Sequence, residues 1–154
     1  GIAVGQVRLT LLNPSIVNPS TLVNPSTPPN PPGTGVGPTT ATALLAMIGN
    51  GHEFRCGRQF AAWLGLTPGQ YSSGGKARLG RITKAGDSYL RTLLILGARA
   101  VLVSAKNKTD GLSRWAIALE ARRGYWKAVV AIAAKNARMC WARLARGEAF
   151  KLPA

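Results

Sequence analysis

The chain has 154 residues and a mass of 16.2 kDa, which suits one domain or one domain with a tail and is enough to bury a core without staples. Twenty Lys and Arg against five Asp and Glu leave a net charge of +15, so the expected partner is a polyanion, nucleic acid before an anionic membrane. The five carboxylates are scattered and His52 is the single histidine, which argues against a self-contained metal–carboxylate nuclease site. Cys56 and Cys140 are too few for a zinc site or a disulfide framework, and their scarcity fits a reducing cytoplasm. No metal and no cofactor is expected on this chain. The longest apolar stretch, Leu93 to Val103, is interrupted by Arg99 and is too short for a bilayer, so no membrane partner is expected. Residues 1–12 make a poor signal peptide. The chain opens on Gly, which points to a fragment, a processed product or a disrupted reading frame.

Charge and composition divide the chain. Residues 1–52 hold one basic residue, Arg8, and no acidic one; the other nineteen basic residues follow. Residues 13–32 contain seven of the ten prolines and three Asn-Pro-Ser triplets. Proline removes backbone donors and holds the residue before it extended, and few large apolar groups are present to offset the entropy of ordering. Residues 1–32 are therefore expected to be a disordered Asn/Pro/Ser-rich segment, and 33–150 the folded domain.

In the second part the pattern is helical. Pro38 sits at a helix start, Thr39 to Ile48 follow with Leu44, Leu45 and Ile48 on one side, and Gly49-Asn50-Gly51 stops the helix. A short helix over Arg58 to Leu64 ends at Gly65. Residues 66–86 show no obvious regular element, although a short hairpin around Lys76–Thr83 is weakly signalled. Asp87 reads as an N-cap for a helix to about Ala105, with Leu90, Leu93, Leu94, Gly97 and Val101 on one face. Two more helices are expected, over about Leu112 to Arg122 and from Tyr125 to about Arg146. The predicted fold is mainly α: a small helical domain with a helix-hairpin-helix-like start and a basic Gly-rich loop in its middle, preceded by a disordered Pro-rich tail.

Three places hold residues that could carry chemistry. Gly35-Val36-Gly37 before Pro38 is a G-x-G turn opening a helix, whose free backbone N–H groups can hold a phosphate as helix-hairpin-helix modules do. The plain alternative is an ordinary glycine-rich turn. Ser72-Ser73-Gly74-Gly75 is followed by Lys76, Arg78, Arg81 and Lys84. A serine hydroxyl there could attack a phosphodiester, with the cations neutralising charge on the phosphorus oxygens. The alternative is a flexible Ser-Gly turn beside solvated charges; phosphate binding by the four cations requires only charge and exposure. On the last helix Lys127, Lys135, Arg138 and Arg146 fall on one arc, either a nucleic-acid stripe or a solvated face. Trp63, Trp115, Trp126 and Trp141 read as core anchors, His52 as structural or solvated, and both cysteines as small packed apolar groups.

The segment from Gly35 to Leu102 reads GVGPTTATALLAMIGNG, then FRCGRQFAAWLGLTP, then YSSGGKARLGRITKAGDSYLRTLLILGARAVL. It resembles the C-terminal domain of the DEDD-type bacterial insertion-sequence transposases, similar to the pilin-gene invertase and guided by a bridge RNA. The order G-L-x-P, S-G, R-I-x-K-x-G-D and L-R carries the likeness, and the later helices follow it loosely to about Phe150. The resemblance implies a transposase in which this domain supplies a serine that joins covalently to DNA. It implies a separate RNase-H-like domain whose four acidic residues bind divalent metal, a guide RNA and a homo-oligomer. The family serine precedes a glycine and maps onto Ser73, while Arg78, Arg81, Lys84 and Arg91 would contact phosphate or position the nucleophile. The acidic domain is not in this sequence, so a truncated transposase that binds nucleic acid but does not transpose alone is expected. A non-catalytic basic nucleic-acid-binding module and a degenerate fragment remain alternatives.

Overall fold

In a computed structural model the described residues are 34–146, and they form five helices and one two-stranded sheet. The disordered tail expected over residues 1–32 and the domain's last residues, 147–150, lie outside them. Helix α1 spans Pro38–Ile48 and α2 spans Gly57–Trp63. Strands β1, Pro68–Ser73, and β2, Lys76–Ile82, pair antiparallel. Helices α3, Ser88–Ala105, α4, Gly111–Arg123, and α5, Tyr125–Arg146, complete the chain.

The punctuation residues act as their chemistry dictates. Pro38 occupies the first helical position of α1, where its missing N–H is not needed. The Asp87 carboxylate accepts from Leu90 N at 2.7 Å and caps α3. Asp110 caps α4, accepting from Ser113 N at 3.1 Å and from Ser113 Oγ at 2.7 Å, and the Ser113 hydroxyl bond first of all holds its pKa below the usual value. Gly124, at φ 87°, closes α4 and lets α5 begin one residue later.

The core lies where α5 crosses α2, α3 and α4. Helix α3 contributes Leu90, Leu94, Ala98, Val101, Leu102 and Ala105; α5 contributes Val129, Ile132, Ala133, Ala137, Cys140 and Leu144. The many alanines permit close helix approach, and burial pushes the Cys140 thiol up to about 12. Cys56 is instead exposed at the start of α2, contrary to the expectation that it packs, because its extended backbone precedes the helix. Trp141 is a core anchor as expected and donates from Nε1 to the Gly51 carbonyl at 2.9 Å. Trp63 packs against Phe54 and Phe60 at the edge of the core, with centroids 5.5 and 6.1 Å away. Trp126 is no core anchor: it is 66% exposed, because the buried stripe of α5 begins only at Ala128 and Val129.

Helix α3 is longer than the apolar run Leu93 to Val103, and by length and composition alone it could cross a membrane. Here it is a core helix, with its Leu90–Leu94–Ala98–Val101 face packed into the body and its capped start at Asp87.

Candidate nucleic-acid interface

Residues 66–86 hold a β-hairpin within the basic Gly-rich loop; the segment Lys76–Thr83, where the sequence weakly signals a whole hairpin, holds its second strand, and the turn comes earlier, at Gly74-Gly75. Gly74 and Gly75, at φ 64° and 78°, supply the pair of positive φ values that a two-residue type I′ turn requires. The strands escape recognition by alternation because both faces are in solvent: residues 70–81 are all exposed. The arm is fixed at its base. Thr83 N donates to Thr67 O and Lys84 N to Gly65 O, each at 3.1 Å. Gly65 and Gly86 allow this crossing, since a Cβ on Gly65 would stand 2.7 Å from Lys84 Cα and one on Gly86 2.9 Å from Leu64 Cα. Arg91, on α3, donates from Nη1 to Leu64 O at 3.2 Å and Gly86 O at 3.1 Å, so its guanidinium ties the arm to the body.

Strand register sorts the side chains. Ser73 pairs with Lys76 and Tyr71 with Arg78, while Ser72 pairs with Ala77 and Gln70 with Leu79. Opposed residues share a face and the faces alternate along a strand. Ser73, Tyr71, Lys76 and Arg78 therefore share one face, and Ser72, Gln70, Ala77 and Leu79 the other. The Tyr71 ring lies over Gly80, where a Cβ would come within 2.7 Å of it. Arg81 stands at the irregularity opposite Gly69, and Lys84 follows with φ 55° at the base. Among the described residues no ion pair engages Lys76, Arg78, Arg81 or Lys84. Their charge faces solvent.

The G-x-G turn is not part of this arm. Gly35, at φ 65°, packs on α3: a Cβ there would stand 2.7 Å from Val101 Cγ2 and would strike the Gly97 carbonyl. Gly37 is the N-cap of α1 and a Cβ there would meet nothing within 4 Å. A helix-hairpin-helix reading needs a helix before Gly35, and that lies outside the described residues. Helix α5 does not present a uniform cationic stripe either. Lys135 Nζ lies 4.2 Å from the Trp115 ring centroid, and desolvation first, then Arg138, lowers its pKa. Lys127, Arg138 and Arg146 are exposed. Among the described residues no three His, Cys, Asp or Glu side chains come together.

The model of the transposase IS116/IS110/IS902 family matches residues 33–113, from the G-x-G turn through the hairpin and α3 into α4. The chain belongs to that family. It is 55% identical over 117 residues to a probable family 20 transposase of Pseudomonas aeruginosa, an alignment that covers 76% of this chain and 35% of that protein. It is 50% identical over 117 residues to a transposase for an insertion sequence element of Coxiella burnetii, covering 76% of this chain and 32% of that one. A putative transposase of Sinorhizobium fredii is 41% identical over 118 residues, covering 76% and 30%. The chain thus spans about a third of the length of these curated relatives. Within the family match, sequence reasoning missed Tyr71, which the hairpin register places on the face of Ser73, and the tight approach of Gly65 and Gly86 at the base of the arm, which involves residues distant in sequence.

Proposed function

We propose that this chain is the serine-bearing part of a DNA transposase, with the hairpin as the element that meets the DNA backbone. The observation that carries the reading is the register, which sets Ser73, not Ser72, on the face that holds Lys76 and Arg78. In this reading Ser73 Oγ attacks a DNA phosphorus, forming an Oγ–P bond as the bond from phosphorus to a deoxyribose oxygen breaks. That oxygen leaves and takes up a proton. Lys76 and Arg78 neutralise charge on the non-bridging oxygens, Arg81 and Lys84 nearer the base of the arm hold phosphates further along the strand, and Arg91 positions the arm. Gly74 admits the backbone beside the serine, and Gly35 and Gly37 sit at a second turn that can approach phosphate. The proton from Ser73 leaves to a base that the hairpin does not carry. It is supplied by the rest of a longer protein, together with the acidic residues that would hold divalent metal. A guide RNA and a homo-oligomer belong to the same reading, as does a bacterial cytoplasm.

The absence of a carboxylate or histidine from residues 66–86 favours one second reading, a basic module that binds nucleic acid without chemistry. The two separate in one experiment. The chain is mixed with the remaining two thirds of a relative and an insertion-sequence end, and SDS-resistant protein–DNA adduct is measured. Adduct is expected with wild type and Ser72→Ala and lost with Ser73→Ala. Adduct that survives Ser73→Ala removes the nucleophile assignment, and no adduct in any case leaves the binding module.

A further inference from the structure

The turn between α4 and α5 reads Arg122-Arg123-Gly124-Tyr125-Trp126-Lys127. Arg122, Arg123, Gly124, Trp126 and Lys127 are all exposed, and Trp126 has 66% of its surface in solvent. The Tyr125 ring meets Trp126 edge-on with centroids 5.1 Å apart, which steadies the indole. The Tyr125 hydroxyl accepts from Arg99 Nε at 3.3 Å, bringing a fourth cation to the same corner. Glu120 is the one carboxylate within that turn and the helix end before it. An exposed indole flanked by four cations presents a flat apolar face beside positive charge, the pairing that fits an unpaired base and its flanking phosphates. A second copy of this chain would bring like charge onto like charge.

We propose that Trp126 is a stacking platform for an unpaired DNA base, with Arg99, Arg122, Arg123 and Lys127 holding the phosphates on either side. The site is separate from the hairpin. It meets single-stranded DNA, whose bases expose the faces that an indole can cover, whereas a duplex buries them. Only the choice of DNA over RNA rests on the transposase reading, because strand exchange exposes unpaired DNA.

The full 154-residue chain is titrated with labelled oligo(dT) of about 20 nucleotides, oligo(U) of the same length and a duplex, at fixed salt. Trp126→Ala should weaken oligo(dT) binding about 5- to 100-fold and duplex binding by less than about twofold. Trp126→Phe should keep most of the affinity but lose the quenching of indole emission that stacking produces. An unchanged melting temperature shows that each variant folds, as expected for an exposed side chain. Unchanged oligo(dT) affinity in Trp126→Ala overturns the proposal, as does an equal loss on duplex. Dependence on Trp126 with oligo(U) alone overturns the choice of DNA. Lys76→Ala with Arg78→Ala is the control for the hairpin: duplex binding indifferent to that pair would sink the hairpin reading while leaving a Trp126 effect standing.

Discussion

Gly97 lies in the middle of α3, where glycine ordinarily weakens a helix. Its use is the crossing with Gly35: a Cβ on Gly97 would run into the Gly35 backbone, with Gly35 Cα only 3.4 Å away. Gly97→Ala is expected to lower stability by about 1–3 kcal/mol. The measurement is a urea transition, with the midpoint moved and the slope unchanged. A midpoint equal to wild type would mean that the segment before α1 moves aside at no cost. Gly35 stands out in the sequence as half of a G-x-G turn, yet its partner on α3 is a distant residue that no local pattern names. The same holds for the serines. Ser72 and Ser73 are adjacent and chemically identical; the resemblance selects Ser73 by the glycine that follows it, and the pairing with Ala77 and Lys76 is what separates their surroundings. Trp126 was hidden for the opposite reason, since its spacing with Val129 and Ala133 imitates a core position that the first turn of α5 does not provide.

The helices were legible because each carries its own boundary signal: Pro38 and Gly49 for α1, Asp87 for α3, Gly124 between α4 and α5. The observed ends of α3 and α5 coincide with those read from periodicity and caps. The hairpin was not legible in that way, since it buries little and its strands have no apolar face to alternate. Its signal was the Gly74-Gly75 pair, which the many neighbouring glycines obscure. An arm of this kind is attached to the body rather than part of its core, and that has a consequence. Replacing residues 70–81 by a short Gly-Ser turn should leave a single cooperative thermal transition close to that of wild type, because no core residue lies in the excised segment. Duplex binding should fall sharply in the same variant. Loss of the cooperative transition would show that the hairpin holds the body together.

Across the whole molecule, a helical body carries an exposed basic arm on one element and an exposed basic-aromatic corner between two others. The +15 charge favours a polyanionic partner, but charge alone does not locate a surface. Exposure narrows the choice without making it: Lys76, Arg78, Arg81 and Lys84 on the arm are in solvent, as are Arg122, Arg123 and Lys127 at the corner, whereas Lys135 is drawn over Trp115 and Arg91 donates to backbone carbonyls. The chain covers about a third of the length of its transposase relatives. The arm's proposed contact with DNA phosphate is assigned to its own residues alone and can be measured on them. The direct measurement is duplex affinity across a salt series for wild type and for a variant with Lys76, Arg78, Arg81 and Lys84 all replaced by Ala. Each phosphate contact contributes about 0.9 to the slope of log K against log salt. The arm as the DNA-facing element requires that slope to become shallower by about 2–4 in the variant, with affinity at low salt much reduced. The same slope and the same affinity in both proteins would contradict it.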